Sequence, residues 1–218
     1  MKVYKQKLNI NYLIEGFLNV GRPSRERNRE NVDNLLVTPS KYDQIDLTKS
    51  CRALRKSLLS TSNIVSRGGR VLIFSKLGEN GIGNNQLKTF FTKVWPQGLI
   101  SNFKNMGKEI KHVPNFVVVS TNDAAQQSAI ANELNRCKVG STFITNSNNS
   151  KYGVINIPGN NASSRTGDLL ISLFKRAVTI GLLKEVAKLQ AKQATKISKR
   201  TNWRQKFPRL GSNQRPRT

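Results

Sequence analysis

Two runs constrain the fold of this chain more than any other feature: Val71-Leu72-Ile73-Phe74, opened by Arg70, and Phe116-Val117-Val118-Val119. A strand with one wet face alternates apolar and polar side chains. A strand with no polar side must be covered on both faces, as in a parallel sheet held between two layers of helices. Thr142-Phe143-Ile144 and the run Val154, Ile155 and Ile157 read as further strands, and helical patterns fall between them. Strands and helices therefore alternate, and the economical architecture is one α/β open parallel sheet with helices on both faces.

The stretch 153–183 completes that layout. Pro158-Gly159-Asn160-Asn161 stops the last strand, and Ser163 or Ser164 can cap the helix that follows. Leu169, Leu170, Leu173, Phe174, Ala177, Val178, Ile180, Gly181 and Leu182 form a wide stripe of helical period that must pack on the sheet or another helix. Upstream, 11–17 suits a short helix, Gly21-Arg22-Pro23-Ser24 is expected to end regular structure, and Leu35-Leu36-Val37 with 42–47 suits a hairpin. Asp46 or Thr48 can cap a helix reaching about Ser66, with Cys51, Leu54, Leu58, Ile64 and Val65 inward, before Arg67-Gly68-Gly69 stops it. A turn bearing Gly78, Gly81 and Gly83 leads into a helix expected over 85–94, and another helix is expected over 124–137.

Charge narrows the partner. The chain carries 37 Lys and Arg against 12 Asp and Glu, a formal charge of +25. Self-repulsion of that size is relieved by a polyanion, and nucleic acid is the first candidate. The cations are spread along the chain and no stretch nears 18 apolar residues, so no membrane partner is expected. Two lone cysteines and one histidine give no zinc signature and no disulfide framework, which points to a reducing compartment and to no metal or cofactor. The N-terminal segment lacks the pattern of a transit peptide, so import information is expected either to have been removed or not to be needed.

The cations form recognisable groups. Arg22, Arg25, Arg27 and Arg29 crowd one loop; Arg165 sits at the strand–helix corner; Lys184, Lys188, Lys192, Lys196 and Arg200 recur every four residues, with Lys199 and Arg204 beside them. Like charges at that spacing repel by a few tenths of a kcal/mol per pair, so a helix built this way is easier to explain with phosphates alongside. Residues 201–218, with Trp203 and Phe207, read as a tail that orders on a partner.

Catalytic signals are weaker. The turn at 78–83 has the order G-x-x-G-x-G, neither the dinucleotide fingerprint nor a P-loop, though a nucleotide-binding enzyme using it is the alternative reading. His112 stands alone, and Asp123 and Asp168 lie near helix starts where the dipole favours them. No catalytic set emerges.

The segment Trp95-Pro96-Gln97-Gly98-Leu99-Ile100-Ser101-Asn102-Phe103-Lys104 resembles the W-L-G-G-x-L-T-N-F/W-K signature of the ribosomal protein S-two family of bacterial-type small subunits, matching at Trp95, Gly98, Asn102, Phe103 and Lys104. Other landmarks follow in order. Ile45-Asp46-Leu47-Thr48-Lys49 is similar to that family's I-I-D/N-L-x-K-T, Gly69-Arg70-Val71-Leu72-Ile73-Phe74 to G-K-I-L-F-V, Ile157-Pro158-Gly159-Asn160 to I-P-G-N, and Asn19-Val20-Gly21-Arg22 to H-F-G-H without its histidines. The resemblance covers roughly 12–183. It implies a flavodoxin-like sheet, an N-terminal extension, and docking on small-subunit rRNA at the junction of head and body.

This chain departs from the family in lacking the helical hairpin after N-F-K, in having Asn, Ser or Lys at several acidic positions, and in adding a basic C-terminal helix and tail. Those departures suggest an organellar ribosome, mitochondrial before plastid. The expected organisation is a basic extension at 1–40, an α/β core at 41–183 and a basic helix and tail at 184–218. The expected function is non-catalytic: rRNA binding beside neighbouring small-subunit proteins, with no small-molecule substrate. Arg22, Arg25, Arg27, Arg29, Lys104, Lys108, Arg165, Lys184, Lys188, Lys192, Lys196, Lys199, Arg200 and Arg204 are the expected RNA contacts. Trp95, Gly98, Asn102, Phe103, Pro158, Gly159 and Asn160 carry the signature, with Trp95 and Phe103 expected to pack in the core.

Overall fold

Helix α1 (Ile10–Glu15) opens the chain and is followed by strand β1 (Val20–Pro23), two short 3-10 turns (Ser24–Glu26 and Arg29–Asn34), β2 (Leu35–Leu36) and β3 (Tyr42–Ile45). The computed structural model describes residues 10–37, 40–76, 88–102 and 113–206, with 199–206 as backbone only. Then come α2 (Leu47–Val65), β4 (Val71–Ser75), β5 (Thr89–Thr92), β6 (Phe116–Ser120), α3 (Ala124–Arg136), β7 (Gly140–Thr145), β8 (Ile155–Pro158) and α4 (Ser164–Lys206).

Strands β4 to β8 form one five-stranded, wholly parallel sheet in the order β5-β4-β6-β7-β8. In chain order that is 2-1-3-4-5, the flavodoxin-like order of a doubly wound sheet. The unbroken apolar runs do what their composition requires, since every residue of β4 and β6 is buried. Val71, Ile73, Phe116, Val118, Ile144, Ile155 and Ile157 face a core shared with α1, α2 and α4. Leu72, Phe74, Val117, Val119 and Phe143 face the other way, onto α3 and the segment carrying Trp95, Leu99 and Ile100. Each such side chain removed from water contributes about 1.5–3 kcal/mol, which makes these two layers the main source of stability.

Local chemistry sets the helix ends. Asp46 caps α2 by accepting from Thr48 N–H at 2.8 Å, and Asp123 caps α3 by accepting from Gln126 N–H at 3.1 Å. At the other ends α1, α2 and α3 close in the same way. Leu18, Gly69 and Val139 N–H groups reach back to the carbonyls of Leu13, Ile64 and Leu134, while Phe17, Gly68 and Lys138 take positive φ.

Three expectations need correction. The segment 89–92 is a strand, not part of a helix: Thr89-Phe90-Phe91-Thr92 is β-branched and aromatic, and β4 offers it a free edge, with Leu72 opposite Phe90. Val20–Pro23 does not end regular structure but pairs antiparallel with β3. There Gly21 lets the backbones close, because a Cβ would lie 2.8 Å from the Asp43 carbonyl oxygen. Val154 is 73% exposed and lies outside β8. The expected hairpin is present as β2 and β3, and with β1 it makes a small sheet whose strands come from both sides of residue 40.

Candidate nucleic-acid interface

Helix α4 runs unbroken for 43 residues across Leu183. Its first half is a wall of the core, and Gly181 is where it touches α2: a Cβ there would lie 2.7 Å from Val65 Cβ and 2.8 Å from the Ser62 carbonyl oxygen. The next turns are tied down by charge. Lys184 Nζ donates to Ser62 Oγ at 2.9 Å, Lys188 Nζ donates to Ser66 Oγ at 3.3 Å, and Glu185 forms an ion pair with Lys88. Ser62 and Ser66 close the C-terminal end of α2, where the helix dipole and the last carbonyls attract cations.

Lys184 and Lys188, expected on RNA, thus also reach the end of α2, Lys188 from an exposed position. Beyond them every side chain from Leu189 to Ser198 is exposed, Leu189 at 53% and Ile197 at 66%. Lys192 and Lys196 make no ion pair among the described residues. The segment 189–206 rises for about 27 Å at 1.5 Å per residue and is bare of carboxylates. It is a cationic arm leaving the core. The side chains of Lys199, Arg200, Trp203 and Arg204 lie outside the described residues.

The arginine loop is divided in the same way. Arg25 and Arg29 are exposed. Arg27 is held by Asp43, its Nε donating at 3.0 Å to a carboxylate that is fully buried. Burial opposes ionisation of Asp43, but hydrogen bonds from Arg27, Ser147 and Ser24 outweigh it and hold the carboxyl below its ordinary value. Arg22 donates its backbone N–H to Ser147 Oγ at 3.1 Å, and its side chain is half-buried. The Arg27 side chain therefore ties its loop to β3 from an exposed position, and the Arg22 backbone fastens β1 to the loop after β7.

At the corner before α4, Pro158, Gly159 and Asn160 are buried. Asn160 N–H donates to the Leu18 carbonyl at 3.1 Å, and the neighbouring Asn161 Nδ2 donates to the Thr121 carbonyl at 2.8 Å. These residues clamp α1 and β6 to the end of the sheet. Arg165 lies over the Phe17 ring, 5.4 Å from its centroid, on the exposed side of the corner. Trp95 is a core residue as expected, edge-on to Phe74 with centroids 5.6 Å apart, and Gly98 supports the following turn at φ 82°. Asn102 closes that turn, its N–H donating to the Gly98 carbonyl at 2.8 Å. Phe103, Lys104, Lys108, His112, the glycine-rich turn at 78–83 and residues 207–218 lie outside the described residues.

The C-terminal end of a doubly wound sheet is where such folds bind small ligands. Here β6, β7 and β8 end in the protein's own amides. Gln127 Nε2 donates to the Thr121 and Ile144 carbonyls at 2.7 and 3.0 Å, Asn149 Nδ2 donates to Gln127 Oε1 at 2.7 Å, and Asn31 Nδ2 donates to the Asn146 carbonyl at 3.1 Å. The Asp123 carboxylate occupies the N-terminus of α3 and lies 3.8 Å from Lys76. Among the described residues no group of three His, Cys, Asp or Glu side chains is placed to hold a metal ion.

No family model matches the chain, and no curated protein matches it. Its chemistry must be argued from the surface itself, and that surface holds a second cationic group. Arg52, Arg55 and Lys56 project from the outer face of α2, exposed and without ion pairs among the described residues. Their spacing opposite Cys51, Leu54 and Leu58 is visible in the sequence, but only as the wet side of an amphipathic helix. No helix of the described residues is long and apolar enough to cross a membrane.

Proposed function

We propose that this chain is a structural protein of the mitochondrial small ribosomal subunit, held on small-subunit rRNA by Lys and Arg contacts to phosphate. The observation that carries the reading is the arm of α4. A helix with Lys192 and Lys196 bare to solvent and no carboxylate after Glu185 repels itself, and it buries no side chain from Leu189 to Ser198 against the described residues. RNA phosphates along the arm relieve that repulsion and release counterions, a term that fixes position without reading sequence. Arg25, Arg29 and Arg165 add exposed cations elsewhere. The resemblance to the ribosomal protein S-two family supplies the placement at the junction of head and body beside neighbouring small-subunit proteins, and the departures from that family supply the organelle.

Gradient fractionation of purified mitochondria tests the reading. The chain is expected to sediment with small subunits and to leave them as salt is raised. A free pool at the top of the gradient fits a free-standing RNA chaperone and overturns the ribosomal assignment.

A nucleotide-dependent enzyme is the rival reading, and the strand order favours it at one point. Strand β4 ends between β5 and β6, where the order reverses. Equilibrium dialysis with ATP, NAD and S-adenosylmethionine separates the two, since micromolar binding abolished by Gly81→Val belongs to the enzyme.

A further inference from the structure

Between the start of α1 and the outer face of α2 lies a groove of about 490 Å³ lined by Ile10, Thr48, Cys51, Arg52, Arg55, Lys56 and Leu59. Its two sides differ in chemistry. Ile10 is 49% and Leu59 55% exposed, and with the buried Cys51 they make an apolar floor. Burial raises the Cys51 thiol above its ordinary pKa against the pull of Arg55, so the floor is uncharged at neutral pH. The rim is Arg52, Arg55 and Lys56, within little more than one helical turn of one another. Arg52 stands three residues from Arg55 and four from Lys56, so the three repel one another, and no carboxylate lines the groove among the described residues.

An uncharged floor beneath guanidinium groups that make no ion pair among the described residues fits a ligand with a flat apolar face and a phosphate attached. Guanidinium takes phosphate oxygens bidentately, and the volume lies in the range of roughly 300–1,000 Å³ typical of small-ligand pockets. We propose that this groove holds one unpaired nucleotide of the bound RNA, its base against Ile10, Cys51 and Leu59 and its phosphates on Arg52, Arg55 and Lys56. The inference rests on the RNA-binding reading but assigns a different surface from the α4 arm and a different recognition mode. The arm meets backbone charge, which paired and unpaired RNA share; the groove accepts a base only where it is splayed out of a helix.

The test uses the full chain and two RNA hairpins with the same stem, one carrying a single bulged uridine, with affinities measured by filter binding across a salt series. The bulged hairpin is expected to bind about fivefold more tightly, what roughly 40 Å² of apolar surface removed from water at about 25 cal/mol per Å² supplies. In Arg52→Ala/Arg55→Ala the ratio of the two affinities is expected to fall to about one, and the salt slope on the bulged hairpin to drop by about 2. Leu59→Ser, at an exposed position, removes part of the apolar floor, leaves all three cations in place, and is expected to abolish the same preference. Lys192→Ala/Lys196→Ala should weaken both hairpins alike and keep the ratio. A wild-type ratio of one, or a ratio that survives both groove variants, overturns the groove assignment while RNA binding stands. Failure of the wild-type chain to bind either hairpin overturns the RNA reading itself.

Discussion

Trp95 donates its indole N–H to the Glu133 carboxylate at 3.0 Å. The other oxygen of that carboxylate accepts from the backbone N–H groups of Ile100 and Ser101 at 2.7 and 2.9 Å, and from the Ser101 hydroxyl at 3.3 Å. One side chain of α3 thereby fixes the whole turn after Trp95 against the sheet. Glu133→Gln places an NH₂ against donors and is expected to cost about 1–3 kcal/mol. Urea unfolding measures the loss, and in a Trp203→Phe background the emission of Trp95 is expected to shift to the red. An unchanged midpoint would show that the carboxylate is dispensable.

Gly181→Ala separates propensity from packing. In an isolated helix the change stabilises by about 1 kcal/mol. Here the new Cβ meets Val65 Cβ at 2.7 Å and the Ser62 carbonyl at 2.8 Å, and α2 has to move. The net effect is expected to be a loss of about 1–3 kcal/mol, the usual cost of overpacking. Thermal unfolding decides the sign.

Lys138 ends α3 at φ 54°, a left-handed conformation that glycine adopts freely. Lys138→Gly is expected to stabilise the chain by about 0.5–1 kcal/mol, read from the urea midpoint, because the exposed lysine side chain contributes nothing that offsets its backbone strain.

The Asp43 carboxyl is held below its ordinary value in the folded chain, against its burial, by Arg27, Ser147 and Ser24. The unfolded value is about 3.9, so the stabilisation is complete above that pH and fades as the pH falls through the lower, folded value. Asp43→Asn is expected to be less stable than wild type at neutral pH, with the gap closing in acid. Urea midpoints measured from pH 7 downward check it; parallel curves would remove Asp43 from the account.

The lysines of α4 divide into two classes with opposite signatures. Lys184→Ala/Lys188→Ala is expected to lower the thermal midpoint, because these side chains bind Ser62 and Ser66. Lys192→Ala/Lys196→Ala is expected to leave the midpoint in place and to reduce the slope of RNA affinity against salt by about 1 per lysine. A single pattern for both pairs would dissolve the distinction between anchor and arm.

What the sequence determined by itself was local. The unbroken apolar runs at 71–74 and 116–119 demanded a sheet covered on both faces, Asp46 marked the start of α2, and the stripe from Leu169 to Leu182 made α4 a core wall, because burial periodicity and capping act between near neighbours. Only the tertiary structure decided that 89–92 joins the sheet, since its β-branched and aromatic residues need the free edge of β4 to pair with. It alone divided the cations, too. Lys184 and Ser62 lie 122 positions apart, as do Lys188 and Ser66, and Arg27 finds Asp43 only once the small sheet has closed. A row of lysines in a sequence records charge; whether each charge is free depends on which helix end folding brings beneath it.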